Sequence, residues 1–480
     1  MMRRLIFCFD GSWSKLSNAH PTNVVLVAES IAAIDNQGIQ QIVYYDEGVG
    51  TGKTDRLTGG AFGVGLETKM RNAYRFLIFN YRPDDEVFIF GFSRGAFTAM
   101  SFVGFLRVAG VLTVSNAQQI DEALAIYKRN KATVDDDPAE VRKFRATYSP
   151  QVAIDEADLL WRRQHGFDMT GTTILSVRYL GVWDIVDSLG LPVFLGPLAR
   201  FYNQRYSFYN ARLSKTVDSA RHAVATDEGR ILFTPRLWTN VETLNADKGV
   251  AAALDSAPYQ QHWFPGDHGS IGGGGEDISL SNISLAWVLA GATQAGLKVE
   301  FGDRSRIVNL AGDYRGPLIN TPLRGWLAHL LFRLERWLLG ASRKTPDDVA
   351  WVSPAAKRRW LADPASLPER KPYRPRTLAP LGTEIDARAG DFAVVADHPP
   401  MAEHVVKLGE NLSGIAREHY GKAALYHIIF DANRDVLDTP DRLTPGTVLR
   451  IPFPPTAPVP APGPPPPISP DSGEASAPPS

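Results

Sequence analysis

Gly91-Phe92-Ser93-Arg94-Gly95 follows directly on the apolar run Val87-Phe88-Ile89-Phe90, and this junction decides how the rest of the chain is read. A serine between two glycines after a buried strand is the pattern of a nucleophile elbow, where strained backbone angles push the hydroxyl into the open. Glycines two residues to either side remove the Cβ atoms that so tight a turn would bring into collision. The segment after it, Ala96 to Leu106, is small and apolar without proline, so it predicts a buried helix whose positive N-terminal end lies under Ser93. A plain strand-to-helix turn that happens to contain serine is the competing reading.

Outward from the elbow, the chain is long enough, at 480 residues, for one large α/β domain and a smaller module. Its 51 basic and 52 acidic residues give no electrostatic reason to expect nucleic acid as a partner. A single cysteine, Cys8, excludes an internal disulfide. Arg3-Arg4 precedes only five apolar residues before Asp10, too few for a signal peptide, and no apolar run has the length of a membrane span. The expectation is therefore a protein that is soluble and cytoplasmic when made.

Leu5 to Phe9 predicts a strand buried on both faces, as in the middle of a parallel sheet. It ends in Asp10-Gly11-Ser12, the place where an α/β hydrolase draws one backbone donor for an oxyanion; Gly11 or Ser12 is the candidate, with Arg94 as the second donor. Thr22 to Ile31 reads as a helix, Gln41 to Tyr45 as a strand, and about Leu66 to Tyr81 as the helix leading to the elbow strand. Glu47-Gly48-Val49-Gly50-Thr51-Gly52-Lys53-Thr54 falls one residue short of a phosphate-binding loop, because Glu47 stands where the first glycine belongs. A nucleotide-dependent enzyme using this loop is kept as an alternative to a flexible loop beside the site.

Residues 113–170 are charged and helix-prone and read as a helical cap inserted into the α/β core. Ile174 to Trp183 returns to strand character and ends at Asp184, the position of a triad acid, with Asp187 as its rival. Two histidines compete for the base. His268 lies in the glycine-rich stretch Trp263 to Gly275, read as a loop, and gives the order Ser, Asp, His expected of α/β hydrolases; His222, in Ala220 to Glu228, reads as helical. Ser93 would attack an ester, His268 would carry its proton and Asp184 would hold the imidazole. No cofactor or metal is needed for this, and no His/Asp cluster with metal-ligand spacing stands out.

Phe7 to Trp13, Tyr45 to Thr51, Gly91 to Phe97, Gly181 to Asp184, His222 to Glu228 and Trp263 to Gly274 together resemble, in order, the motifs of a bacterial and fungal α/β-hydrolase family that includes type VI secretion phospholipase effectors. The resemblance covers roughly residues 1–380 and implies a Ser-Asp-His lipase or esterase, carried onto Ser93, Asp184 and His268. Three positions depart from the family's pattern. Asp267 replaces the usual valine before the histidine, Ser270 the usual aspartate two after it, and Asp187 the glycine three after the acid.

Leu191 to Pro197 has the composition of an apolar lip for acyl chains, and Pro322 to Leu339, rich in Leu, Trp and Arg, that of a helix lying in a membrane interface or packed in the core. Val405 to Gly421, Ile428 to Arg434 and Leu443 to Pro452 resemble a LysM module, which implies a βααβ fold and binding to peptidoglycan-type glycans or to a protein. Asn411 replaces its commoner threonine. The tail is Pro, Ala and Ser and cannot build a core.

The expected organisation is an α/β-hydrolase-like, mostly parallel sheet domain at 1–382, a linker at 383–402, the LysM-like domain at 403–453 and a disordered tail at 454–480. The expected function is hydrolysis of a lipid carboxylester, with phospholipid, peptidoglycan, a secretion-apparatus or immunity protein and a membrane surface as partners. Delivery to the periplasm of a target cell would reconcile a chain without a signal peptide with a peptidoglycan-binding module. A cytoplasmic esterase and a noncatalytic cell-wall or secretion adaptor are the alternatives.

Overall fold

The computed structural model describes residues 2–11, 16–48, 60–130, 137–186, 212–230, 233–251, 256–300, 307, 310–320, 343–392 and 400–454. Ser12, most of the glycine loop after Gly48, Asp187, the apolar segment 191–197, the amphipathic segment 322–339, part of the linker and the tail from 455 lie outside the described residues.

In chain order, Arg4–Phe9 forms β1, Asn23–Ser30 α1, Gln41–Asp46 β2, Gly60–Asn80 α2, Glu86–Phe92 β3 and Arg94–Ala109 α3. The segment read as an insertion is helical, with α4 (Ile120–Asn130), α5 (Ala139–Tyr148) and α6 (Glu156–Gln164) around the two-residue strands β4 (Val152–Ala153) and β5 (Thr173–Ile174). Then follow β6 (Ser176–Trp183), β7 (Ala220–Ala225), α7 (Val241–Asp247), β8 (Tyr259–Phe264), α8 (His268–Gly272) and α9 (Ser279–Gln294). Beyond them lie α10 (Pro354–Leu361), α11 (Gly382–Ala387) and α12 (Ala389–Phe392).

Among the described residues the central sheet has the order β2-β1-β3-β6-β7-β8, and every neighbouring pair is parallel. Alternate side chains of each strand enter opposite cores, as the two-residue period of a strand requires. Leu5, Phe7 and Phe9 of β1 join Val87 and Ile89 of β3 beneath α2 and α3, whereas Ile6 and Cys8 join Phe88, Phe90 and Phe92 beneath α1 and α9. Burial of each phenylalanine contributes roughly 1.5–3 kcal/mol, which is why these continuous apolar runs sit at the centre of a sheet covered on both faces. Because β1 is flanked by β2 on one side and β3 on the other, the chain reverses its direction of winding between β1 and β3. In open α/β sheets the crevice at the carboxyl ends of such strands is where ligands bind.

Several elements depart from the expectation, among them β7 and α2. The stretch around His222 is strand β7, not helix: Ala-Arg-His-Ala-Val-Ala has helix-forming alanines, but its backbone is claimed on both sides by parallel pairing with β6 and β8. The elbow-leading helix starts at Gly60 rather than near Leu66. The helices of the inserted segment pack on α2 and α3. Tyr127 of α4 lies against Gly104 of α3, leaving 3.2 Å to where a Cβ would stand, and the Arg145 guanidinium donates to the Arg107 carbonyl at 3.1 Å.

Gly91 and Gly95 are required by close approach. A Cβ on Gly95 would stand 2.1 Å from the carbonyl oxygen of Phe9, and one on Gly91 would stand 2.7 Å from the Ala96 Cα. Both obstacles are backbone and cannot rotate away. Gly95→Ala is therefore expected to destabilise the protein by about 3 kcal/mol, read as a lower urea midpoint. Gly390→Ala, with nothing within 4 Å of its Cβ, should leave the midpoint unchanged or slightly raised.

The C-terminal unit follows the expected βααβ order: β9 (Ala402–Val405), α13 (Leu412–Tyr420), α14 (Tyr426–Ala432) and β10 (Val448–Ile451), with β9 and β10 antiparallel. Asn411, the departure from threonine, caps α13 by accepting from Gly414 N–H at 2.8 Å, so it performs the same task. The apolar cluster beneath α1 and α9 runs on into this unit through Met401, Val406 and Leu412.

Candidate active site

The carboxyl ends of β1, β3, β6 and β8 carry the residues that the sequence singled out. Phe9 pairs with Gly91 and Phe92 with Trp183, so Asp10, Ser93 and Asp184 emerge at neighbouring strand ends. Ser93 N–H donates to the Trp183 carbonyl at 3.0 Å, tying the elbow to the strand that ends in Asp184. Ser93 has φ 59° and ψ −123°, and Asp184 has φ 41°. A non-glycine residue at positive φ costs on the order of 1–3 kcal/mol and persists only where its surroundings hold it.

His268 opens α8, a one-turn helix where the sequence suggested a loop. Asp267 caps that helix, accepting from Ser270 N–H at 2.8 Å and from the Ser270 hydroxyl at 2.8 Å. The two departures from the family pattern beside the histidine thus bond to each other and orient His268. Its Nδ1 donates to Asp184 Oδ2 at 2.6 Å. Its ring lies 4.6 Å from that of Phe92, the residue before Ser93, and 4.8 Å from that of Phe233. Its backbone N–H donates to Glu228 at 3.3 Å. The Glu228 carboxylate is in turn gripped by Arg230 through both the backbone N–H, at 2.8 Å, and the guanidinium, at 2.6 Å.

Asp184 is fully buried and accepts from Ala225 N–H at 3.1 Å and, in a two-pronged pair, from the guanidinium of Arg343, whose second nitrogen lies 2.9 Å away. Burial alone would raise the Asp184 carboxyl. The charge of Arg343 and the hydrogen bond and charge of His268 outweigh it and hold the group well below the usual carboxylate range. No local pattern points to Arg343, which lies 159 residues from its partner.

His222 is also fully buried and next to this group, but both of its ring nitrogens already have partners. Its Nδ1 donates to Gln261 Oε1 at 2.9 Å, and its Nε2 accepts from Ile185 N–H at 3.3 Å. Both nitrogens are occupied in holding the strand end that carries Asp184. Gly11, one oxyanion candidate, lies against the elbow: its Cβ would stand 2.9 Å from the Phe92 ring and 3.5 Å from the Ser93 Cβ. Its N–H donates to the Asp10 carboxylate at 2.6 Å. That carboxylate also accepts from the Tyr45 hydroxyl at 2.7 Å and the Thr22 hydroxyl at 2.8 Å. Arg94, the other candidate, opens α3, where first-turn amides point out of the helix end. Burial lowers its guanidinium to about 10.

The buried imidazoles make stability depend on pH. Burial drives His222 down to about 4, the Gln261 bond and the Asp184 charge opposing it only in part. Burial and the charges of Lys357 and Arg221 drive His262 down to about 3. Below the ordinary value of 6.5 the unfolded chain binds these protons and the native chain does not, so stability falls as pH drops from 6.5 toward 4, by on the order of 3 kcal/mol for each histidine. Asp184 acts lower, since its depressed carboxyl loses its stabilisation only as pH falls below 3.8. Urea midpoints measured from pH 7.5 to 4.5 should show this decline, and His262→Gln should flatten it.

The chain is similar to several known proteins. A family model described as "T6SS, Phospholipase effector Tle1-like, catalytic domain" matches residues 3–291, and the LysM domain model matches residues 404–452. An uncharacterized protein of Saccharomyces cerevisiae, YEL023C, is 22% identical over 400 residues, covering 62% of this chain and 58% of the relative. The potassium binding protein Kbp of Escherichia coli O6:H1 is 51% identical over 49 residues, covering 10% of this chain and 33% of the relative. A solved structure of an uncharacterized protein from Pseudomonas aeruginosa aligns with a TM-score of 0.37 at 14% identity, covering 93% of this chain and 65% of that one. The Tle1 effector bound to the VgrG spike of the type VI secretion system aligns with a TM-score of 0.29 at 15% identity, covering 57% and 51%. This chain spans less than two thirds of each of these four proteins. Since the family model covers more than half of the chain and takes in the elbow, Asp184 and His268, the protein belongs to the Tle1-like phospholipase effector family of type VI secretion and carries a LysM domain.

Proposed function

We propose that this protein hydrolyses a carboxylester of phospholipid by a Ser93-His268-Asp184 triad. The observation that carries the reading is the 2.6 Å bond from His268 Nδ1 to Asp184, made by an imidazole that packs on the residue preceding the elbow serine. With Nδ1 protonated by this bond, Nε2 is the nitrogen left to take a proton from Ser93. Ser93 Oγ attacks the ester carbonyl, His268 passes the proton to the departing alcohol, and water then releases the fatty acid from the acyl-enzyme. The Arg94 backbone N–H is the leading donor to the oxyanion. Gly11 serves as the second if its amide turns from Asp10 to the substrate. His222 keeps a supporting role at the Asp184 strand end.

The protein acts as an effector passed to a target bacterium by a secretion apparatus, its LysM domain holding it on peptidoglycan near the membrane. The family's description and the LysM match support this. Tethering raises the effective enzyme concentration at the surface without altering the active site. Among the described residues no single helix is long and apolar enough to cross a membrane.

The test is release of fatty acid from phosphatidylethanolamine and phosphatidylglycerol vesicles by the full-length chain, paired with expression in a test bacterium with and without an added export signal. Hydrolysis together with Ser93-dependent toxicity of the exported form alone is expected. Absence of ester hydrolysis would remove the enzymatic reading, and equal toxicity in both forms would remove the periplasmic one.

A further inference from the structure

The LysM domain holds a side-chain cluster that no spacing in the sequence announces. His404 of β9 and His419 of α13 are fifteen residues apart, yet His404 Nδ1 faces His419 Nε2 at 3.2 Å. On its other side His404 Nε2 lies 2.8 Å from Glu410 Oε2. A carboxylate only accepts, so His404 Nε2 carries the proton and Nδ1 directs its lone pair toward His419. The Glu410 carboxylate is itself fixed by Lys407 N–H at 2.8 Å. Glu418 completes the group: one ligand atom each from His404, Glu418 and His419 lie within 4.8 Å of one another.

The separation of the two imidazole nitrogens is compatible with a shared metal ion. A tetrahedral zinc ion with bonds of about 2.0–2.1 Å to nitrogen sets two ligating nitrogens ~3.4 Å apart, close to the separation seen. A carboxylate on the far nitrogen of a ligating histidine is the arrangement that fixes its tautomer and orients its ring. Two imidazoles and a carboxylate suit zinc and its first-row neighbours rather than calcium or magnesium, which prefer all-oxygen shells. His404 is only 7% exposed, so its ring is held by packing rather than free to turn aside.

The ligand-bearing end of α13 is also where the LysM domain sits on the catalytic unit. The Glu418 carbonyl accepts from the Asn36 amide, and the His419 carbonyl accepts from Lys298 Nζ at 2.8 Å. The nearby Lys298 ammonium opposes a cation, while the carboxylates of Glu410 and Glu418 offset it.

We propose that His404, His419 and Glu418 bind a zinc-class divalent metal at the junction of the LysM domain and the catalytic unit, with water as fourth ligand and Glu410 as the residue that positions His404. The ion would clip β9 to α13 at the contact with the catalytic unit.

The test uses the full-length chain, stripped with EDTA and desalted, then titrated with Zn²⁺ against a chromophoric chelator and separately with Co²⁺ followed by visible absorption. One equivalent of Zn²⁺ is expected, with affinity reduced at least ~100-fold in His419→Ala and, since the orienting partner is lost, about ten-fold in Glu410→Gln. His404→Ala removes a buried ring and can unfold the domain, so the Co²⁺ spectrum of the unaltered chain carries separate weight: a stoichiometric visible band from nitrogen and oxygen ligands is expected. No stoichiometric Zn²⁺ or Co²⁺ complex, or Zn²⁺ binding that His419→Ala leaves unchanged, overturns the proposal and leaves a hydrogen-bonded histidine pair.

Discussion

Ser93→Ala is expected to lower hydrolysis of phospholipid vesicles by about 10⁴-fold or more while leaving the circular dichroism spectrum and the urea midpoint close to those of the parent. The Ser93 hydroxyl is the attacking group in the proposed reaction, so its loss removes the acyl-enzyme route altogether. The methyl group that remains fits the same space at the elbow. His268→Ala should fall as far, because the members of such a unit are not additive: without the base, the serine keeps its proton. Asp184→Asn should be severe but partial, since an amide can still touch His268 Nδ1 but favours the wrong tautomer. His222→Gln is the discriminating control. Its two hydrogen bonds, to Gln261 and from Ile185, are within the repertoire of an amide, and activity should stay within about ten-fold of the parent. A dead His222→Gln beside an active His268→Ala would move the base to His222.

The parts of this arrangement that the sequence made legible are those written in local chemistry. Gly91 and Gly95 mark the elbow because each meets backbone where a side chain would sit, a constraint that only glycine satisfies. The runs at Leu5 and Val87 announce central strands because a strand covered on both faces has no polar side to display. Asp184 is found by position, at the end of such a strand. β7 departs from the helical expectation because its alanines favour a helix locally, while its real determinant, parallel pairing with strands about 40 residues away on either side (Gly181 with Arg221, Ala220 with Tyr259), has no local trace.

The surroundings of His268 divide in the same way. Asp267 and Ser270 stand out in the sequence as departures from the family, but their meaning appears only when the one-turn helix brings carboxylate and hydroxyl together. Glu228, which receives the His268 backbone N–H, and Asp10, which gathers the Gly11 amide with the hydroxyls of Tyr45 and Thr22, lie in recognisable motifs without a legible role. A buried carboxylate states its purpose only through its partners, and these come from distant strands.

Arg343 is the extreme case, and it carries the second large expected effect. Its guanidinium spans both oxygens of the buried Asp184 and also donates to the Phe233 carbonyl at 2.8 Å, whose ring stands on His268. Arg343→Met should destabilise the protein by about 3–5 kcal/mol, the cost of leaving a buried carboxylate without its main countercharge. Arg343→Lys should recover only part of this, because an ammonium cannot span both oxygens. The decisive comparison is a double-mutant cycle with Asp184→Asn. Once the carboxylate is an uncharged amide, removal of the guanidinium no longer strands a charge, so the pair together should cost less than the sum of the single changes. In vesicle hydrolysis, Arg343→Met should lower kcat with KM little changed, since Arg343 acts by holding Asp184, and through it His268, rather than by touching lipid. Additive stabilities in the cycle, or a rise in KM at constant kcat, would mean that Arg343 is instead a substrate-facing cation whose contact with Asp184 is incidental.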